Sequence, residues 1–249
     1  NFSCYGEVRS PFYDFLAANA AQNQTTIVLK NGLPLREGDL IAIGRNDLVG
    51  ALPVSYIHTV SSYDPVTKTV TLQEPLTTPR SGTPPTECLV LLLSRQIIVE
   101  KIPNTMDGCF IIGDNRVLSG VAIVGRCTGI TLIGAGRNGT ITDSSIYVPS
   151  LSLATVTAFS SVQGWTIQNL AVARCNNLFV GNCTNNNISN IAGIGVGQGF
   201  ADADFRSWSV SGNLLLQNVN VLFSSPDYLN ITNLTGKNVG LLCSGTIRG

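Results

Sequence analysis

The 249-residue sequence predicts an all-β protein in which a β-rich segment over residues 1–103 leads into a parallel β-helix over residues 104–249. Three observations predict it. β-Branched and aliphatic runs fill the first hundred residues, each bounded by Gly, Pro, Asp or Asn. After Pro103 the texture changes to brief apolar pairs with Gly, Asn and Ser between them. A unit of the form apolar-polar-Asn-apolar then returns with starts at residues 167, 188, 216 and 231.

Taken in order, Thr25–Leu29, Asp39–Ile43, Tyr56–Val60, Thr67–Leu72 and Cys88–Val99 read as strands, and Asp64–Thr67 (DPVT) as a turn between two of them. One short helix is expected over Phe12–Ala21, where Ala is frequent. The Pro-, Ser- and Thr-rich stretch Thr77–Thr86 is expected as an exposed loop. Coil signals follow in Phe110–Gly113, Leu118–Gly125, Ile130–Gly136 and Ile141–Ile146.

The repeated units are Ile167-Gln-Asn-Leu170, Ile188-Ser-Asn-Ile191, Leu216-Gln-Asn-Val219 and Ile231-Thr-Asn-Leu234. Their uneven spacing centres on the twenty-odd residues, roughly, that one β-helical coil needs, with loops of variable length expected to account for the unevenness. The physical case rests on alternation and on Asn. Alternate residues of each short strand point inward and stack on those of neighbouring coils, while Asn tolerates the left-handed backbone of a corner and bonds along the stack. A sandwich or barrel with Asn-rich turns is the alternative reading of the same units.

Composition bounds the function classes. Apolar residues make up 44% of the chain, ample for a core. Charged residues make up only 12%, and fifteen basic residues offset fifteen acidic ones, which points away from nucleic acid and from anionic membranes. Between Ser144 and Ala201 the only formal charge is Arg174, so solubility there must come from Asn, Ser, Thr and Gln, from attached glycans, or from coverage by a partner. Pro149, Gln163 and Gly164 interrupt that run, and no stretch supplies the ~20 apolar residues of a membrane span. Because the chain opens on Asn1 rather than Met, a removed N-terminal piece such as a secretory signal peptide is expected.

Seven Asn-x-Ser/Thr sequons, at Asn1, Asn23, Asn138, Asn182, Asn187, Asn230 and Asn233, are candidate acceptors of N-linked glycans. Seven cysteines, Cys4, Cys88, Cys109, Cys127, Cys175, Cys183 and Cys243, contain no CxxC pair, and there is one His. A metal site is therefore not expected, and no cofactor motif is present. Disulfides of an oxidising compartment are expected instead, with Cys175–Cys183 and Cys109–Cys127 as the local pairs and one thiol left over. Both features place the chain outside the cell or on its surface.

The first half carries a resemblance. TTIVLKNGLPLREGDLIAIG, YIHTVSSYDPVTKTVTLQEPL and CLVLLLSRQIIVEK resemble the segment leading into the β-helix of fibrocystin-like and cell-surface hyaluronidase-like proteins, where "GDEIVIA", a "TLxxPL" strand and "EVGLLSRNIVIQG" follow in that order. Gly38-Asp39, Pro75-Leu76 and Leu93-Ser94-Arg95 carry most of it, over Thr25–Lys101. The resemblance implies an extracellular, glycosylated, right-handed β-helix of the pectin-lyase-like type. Two departures argue against hyaluronan cleavage: Thr77-Thr78-Pro79-Arg80 stands where a His commonly follows the "PL" strand, and Gln96 replaces the Asn of "SRN".

For chemistry, one cluster stands out: Asp202, Asp204 and Arg206 in GFADADFRSW, where alternate residues of an extended segment share a face. A solvated loop in which Arg206 pairs with its neighbours accounts for it better, so no catalytic residue is assigned and the three stay weak candidates. His58 sits in an alternating strand with no nucleophile motif near it and reads as structural. Gly134-Ala-Gly136 lacks the third Gly and the following helix of a dinucleotide loop. Trp165, Trp208 and Tyr228 stack on sugar rings if exposed and pack in the core otherwise.

These features favour a structural or adhesive extracellular glycoprotein that joins other protein chains, because LLCSGTIR over Leu241–Arg248 still reads as coil and the low-charge flank needs covering. The alternative from another class is a carbohydrate-active enzyme or glycan-binding module acting on a polysaccharide. A viral receptor-binding spike is a third.

Overall fold

The computed structural model describes residues 3–46, 56–101, 109–125, 131–149, 156–204, 209–224 and 234–244. Every regular element among them is a strand. The first, β1 (Ser3–Tyr5), belongs to the helix and pairs in parallel with a strand met much later. Next come six strands of a separate antiparallel sheet: β2 (Tyr13–Phe15), β3 (Thr26–Val28), β4 (Leu40–Ile43), β5 (Ile57–Asp64), β6 (Thr69–Leu72) and β7 (Leu89–Leu92).

That sheet runs in the order β2-β7-β4-β5-β6-β3. An antiparallel bridge between Leu16 and Leu29, with Lys30 N donating to Phe15 O at 2.9 Å, joins its two edges, so the strands close into a small barrel. Leu16, Ile27, Ile41, Val60, Val70 and Leu92 fill it. The expected helix over Phe12–Ala21 does not form. Phe12, Asp14 and Leu16 are buried while Tyr13 and Phe15 are only partly so, a period of two that the high helix propensity of Ala does not override. The DPVT turn forms as read: Asp64 accepts hydrogen bonds from Val66 N at 2.9 Å and Thr67 Oγ1 at 2.7 Å, which hold its carboxyl below its ordinary pKa. Thr77–Thr86 is largely exposed, with Arg80 and Gly82 turned inward.

The parallel β-helix follows as β8 (Ile97–Lys101), β9 (Cys109–Ile112), β10 (Val117–Ser119), β11 (Val121–Gly125), β12 (Thr131–Gly134), β13 (Thr140–Thr142), β14 (Ser145–Tyr147), β15 (Thr157–Ser160), β16 (Thr166–Ala173), β17 (Asn177–Asn182), β18 (Asn187–Asp204), β19 (Ser209–Ser224) and β20 (Leu234–Ser244). Coils stack on three faces. The first face runs β1, β10, β13 and the starts of β16, β18 and β19. The second runs β8, β11, β14, then the later part of β16 and the middles of β18 and β19. The third runs β9, β12, β15, β17 and the ends of β18, β19 and β20. Cys88–Val99 thus splits into β7 and β8, and the helix claims β1 and β8, earlier than the expected boundary at 103.

Leu118, Ile141, Ile167 and Ile188 share one register position on successive coils and are fully or almost fully buried, which is the inward stack that the repeat predicts. On the third face Ile133, Phe159 and Phe179 are in register, and the two Phe rings stack with centroids 4.9 Å apart. The predicted Asn corners also form. Asp143, Asn169 and Asn190 each take a left-handed backbone between the first and second faces (φ 51°, 52° and 52°). Asn169 Nδ2 donates to Asp143 Oδ1 at 2.9 Å, and Asn190 Nδ2 to Asn169 Oδ1 at 3.2 Å.

The uneven repeat has a cause other than variable loops. Ile167 and Ile188 are true register partners, but Asn218 (φ 57°) lies one corner further on, between the second and third faces, where Gly195 (φ 66°) stands in the preceding coil. Leu216-Gln-Asn-Val219 is therefore the same local solution at a different corner. Of Ile231-Thr-Asn-Leu234, only Leu234 lies within the described residues.

The low-charge flank is covered by the chain itself. On the second face Ala122, Ser145, Ala171 and Ala192 form a row of small residues, and the barrel packs onto it through Ala42, Leu89 and Leu91. Strands buried on both sides explain the near-continuous apolar runs of this face. Polar groups seal the joint. Gln217 Oε1 accepts from Leu89 N at 2.6 Å, and Asn218 Oδ1 from Arg45 N at 2.7 Å. Arg95 donates to Ser94 O at 2.8 Å and across the joint to Asp143 O at 2.8 Å, and its desolvation lowers its pKa to about 10. The barrel thus covers the second-face part of the low-charge run.

Among the described residues no helix is long and apolar enough to cross a membrane.

Candidate functional site

The first face of the helix presents an outward surface that the fold leaves open. Its strands are triplets in which a single aliphatic residue points in and its neighbours point out: Thr140-Ile-Thr142, Thr166-Ile-Gln168 and Asn187-Ile-Ser189. Register then aligns the outer residues into two ladders. One runs Val117, Thr140, Thr166, Asn187, and the other Ser119, Thr142, Gln168, Ser189, with Tyr5 as its first rung.

All of these side chains are partly or wholly exposed, and none is charged. Thr142 Oγ1 donates to Ser119 Oγ at 3.0 Å, so neighbouring rungs orient each other. The Asp143–Asn169–Asn190 stack borders the ladders and rigidifies that edge. Tyr5 is 66% exposed and offers an aromatic surface at one end. Strands in a sheet lie about 4.7–4.9 Å apart, close to the length of one pyranose unit in an extended glycan. The face can therefore meet repeating hydroxyls with repeating donors and acceptors.

The sequence-predicted residues are placed as follows. Asp202 and Asp204 lie on the third-face end of β18, where Asp204 is in register with Asn182, away from the ladders. Their side chains and the whole of Arg206 lie outside the described part, as do Trp208 and Tyr228. Trp165 is a core residue, almost fully buried with its ring nitrogen donating to Gly136 O at 2.9 Å, so it is not a sugar platform. His58 is buried in the barrel on β5 opposite Ile41. Among the described residues no cluster of His, Cys, Asp and Glu is suited to a metal ion.

Of the sequons, Asn23, Asn138, Asn182 and Asn187 are all exposed, and Asn187 is itself a rung of a ladder. Asn1, Asn230 and Asn233 lie outside the described residues. Cys4, Cys88, Cys175 and Cys183 form no disulfide with one another. The expected Cys175–Cys183 pair fails on distance: β17 lies between them, about 20 Å of extended chain, whereas a disulfide needs Cα atoms within about 7 Å. Cys109 and Cys243 are placed on β9 and β20 by backbone, and Cys127 lies outside the described residues.

Burial pushes the Cys175 thiol up to about 12 and the Cys183 thiol up to about 11. Both are thus held as thiols at neutral pH. Neither should react with a thiol-specific dye at pH 8 in the folded protein, and both should react on unfolding; fast labelling of either by mass spectrometry would contradict this burial.

The ladders were missed by a reading that began each unit at its aliphatic residue. One residue earlier, the polar-aliphatic-polar triplets carry the signal.

Fold and face together define a parallel β-helix carrying an inserted barrel and an uncharged, hydroxyl-rich outer face. No family model matches the chain, and no curated protein is detectably similar to it. Among solved structures it is similar to the tailspike protein gp49 from Pseudomonas phage LKA1 (11% identity, TM-score 0.29), covering 97% of this chain and 42% of that one. It is also similar to the gp54 tailspike of Acinetobacter baumannii bacteriophage AP22 in complex with A. baumannii capsular saccharide (9% identity, TM-score 0.28, 99% and 58%). A third is the catalytic domain of a GH87 alpha-1,3-glucanase in complex with tetrasaccharides (13% identity, TM-score 0.29, 96% and 64%). The chain spans less than two thirds of each of these structures.

Proposed function

We propose that the chain is an extracellular glycan-binding module that lays a neutral polysaccharide along the first face of its β-helix. The observation that carries this reading is the pair of in-register ladders, Thr140-Thr166-Asn187 and Ser119-Thr142-Gln168-Ser189, in which every side chain both donates and accepts hydrogen bonds and none is charged. Sugar hydroxyls have the same dual character, and a surface without charge favours a polymer without charge. Exposure of the four described sequon asparagines supports a place outside the cell.

Affinity electrophoresis tests the reading. Protein made without N-glycans, so that Asn187 stays bare, is run through gels containing a neutral glucan, a galactomannan, pectin, alginate or hyaluronan. Retardation is expected in a neutral gel and is expected to weaken at least tenfold in the Thr142→Glu, Gln168→Glu double variant, with the polymer recovered at its original length. Equal mobility in every gel, or retardation by the acidic polymers alone, would refute it.

A further inference from the structure

The barrel carries a groove of about 620 Å³, within the range of small-molecule sites. It lies between the 19–24 and 78–81 segments, on the barrel rather than on the coil ladders. Five uncharged polar side chains line it: Asn19, Gln24, Asn46, Thr78 and Ser81. Ala21 and Pro79 supply an apolar surface beside them.

The walls are fixed before any ligand arrives. Ala20 and Arg80 exchange backbone hydrogen bonds at 2.9 and 2.8 Å, tying the two segments together. Asn46 Oδ1 accepts from Ser81 N at 2.6 Å while its Nδ2 donates to Thr86 O at 2.8 Å. Gln24 Oε1 accepts from Ala21 N at 2.9 Å, and Asn19 Oδ1 from Gly82 N at 2.9 Å. Each amide is thus oriented through its oxygen, and the Asn19 NH₂ group remains available to a ligand.

We infer that this groove is a second binding site, which takes a single neutral sugar ring such as the end unit of a glycan. The chemistry selects that class. Amides and hydroxyls set into a lining that is mostly apolar match a ring with hydroxyl edges and C–H faces. The described lining holds no carboxylate to attract a cation, and a lipid chain would leave its amides and hydroxyls unmatched. Arg80 is its only ionisable residue, and its Nη1 is turned onto Thr78 O at 2.7 Å and Pro79 O at 3.2 Å. The choice of a sugar rests on the glycan reading of the coil face, but the site is separate from that face.

Saturation-transfer NMR on the full chain, with glucose, galactose, mannose and N-acetylglucosamine as probes, tests it. At least one sugar should receive saturation from the unaltered protein. Ala21→Phe, which fills the groove from an exposed position, should weaken that binding at least tenfold, and Asn19→Ala should weaken it less. Both variants should keep their melting temperature and their retardation in polysaccharide gels. Transfer that survives Ala21→Phe overturns the site, and so does its absence for all four sugars. Loss of gel retardation in the unaltered protein, with sugar transfer intact, would instead count against the coil face alone.

Discussion

Replacing Arg9 with Ala is expected to cost about 3–5 kcal/mol, read as a lowered denaturation midpoint with unchanged slope. Arg9 grips Asp39 with both ends of its guanidinium, at 2.7 Å and 2.6 Å, and a third bond reaches Pro34 O. Both side chains are more than nine-tenths buried. Without the guanidinium the Asp39 carboxylate keeps Arg36 N as a donor at 2.6 Å but loses its counter-charge in a dry setting. Leaving a charge buried and alone is what makes such a loss large. The nearby Arg36–Glu7 pair supplies the control. It is an ion pair of similar length at the surface, so Arg36→Ala should leave the midpoint almost where it was. A comparable drop for both variants would show that burial does not separate them.

The second large effect is expected at Trp165. Its ring is almost fully buried among the coil residues, its indole N–H donates to Gly136 O at 2.9 Å and its backbone N–H to Asn186 Oδ1 at 2.9 Å. Trp165→Ala should therefore destabilise by about 3–5 kcal/mol through the cavity it leaves. Gly139 lies so close to the ring that any Cβ there would overlap it, so Gly139→Ala should also lower the melting temperature. Trp165→Phe should be milder, retaining most of the packing while Gly136 O loses the indole donor and keeps Gln163 N at 3.1 Å. A Trp165→Ala protein that melts with the parent would mean that the ring does not sit in the core.

How much of this was legible in the sequence depends on the scale of the signal. Inward aliphatics and Asn corners were readable because both are local: Ile167-Gln-Asn-Leu170 contains its own strand, its own turn and its own inward side chain. Register was not local. Nothing in Leu216-Gln-Asn-Val219 says that its Asn serves a different corner, since both corners ask for the same left-handed backbone. The run Cys88–Val99 looked like one strand because both of its halves are apolar. The break at Leu93-Ser94-Arg95 is set by long-range contacts, Ser145 Oγ donating to Leu93 O at 2.5 Å and Arg95 reaching Asp143 O.

Those three residues also carried much of the resemblance to fibrocystin-like proteins, and their observed work is to fasten barrel to coil. The ladders were legible in principle, as Thr-Ile-Thr, Thr-Ile-Gln and Asn-Ile-Ser, but only once the coil length was known. The groove was not, because Asn19, Asn46 and Thr78 converge through barrel closure rather than through any motif.

The route of the chain between β1 and β8 has a consequence of its own. In later coils the passage from the first face to the second takes one or two residues, such as Gly120 between β10 and β11 or Asp143-Ser144 between β13 and β14. In the first coil the stretch 6–96, the whole barrel included, occupies that passage, and Gly6 N still donates to Ser119 O at 2.7 Å beside Gly120. Because closure entropy grows only with the logarithm of length, at roughly 0.6 kcal/mol per doubling, such a corner accommodates a folded guest at little thermodynamic cost. The edge between these two faces is therefore a grafting point, where a foreign domain with neighbouring termini can be spliced into the solenoid without disturbing its stacking.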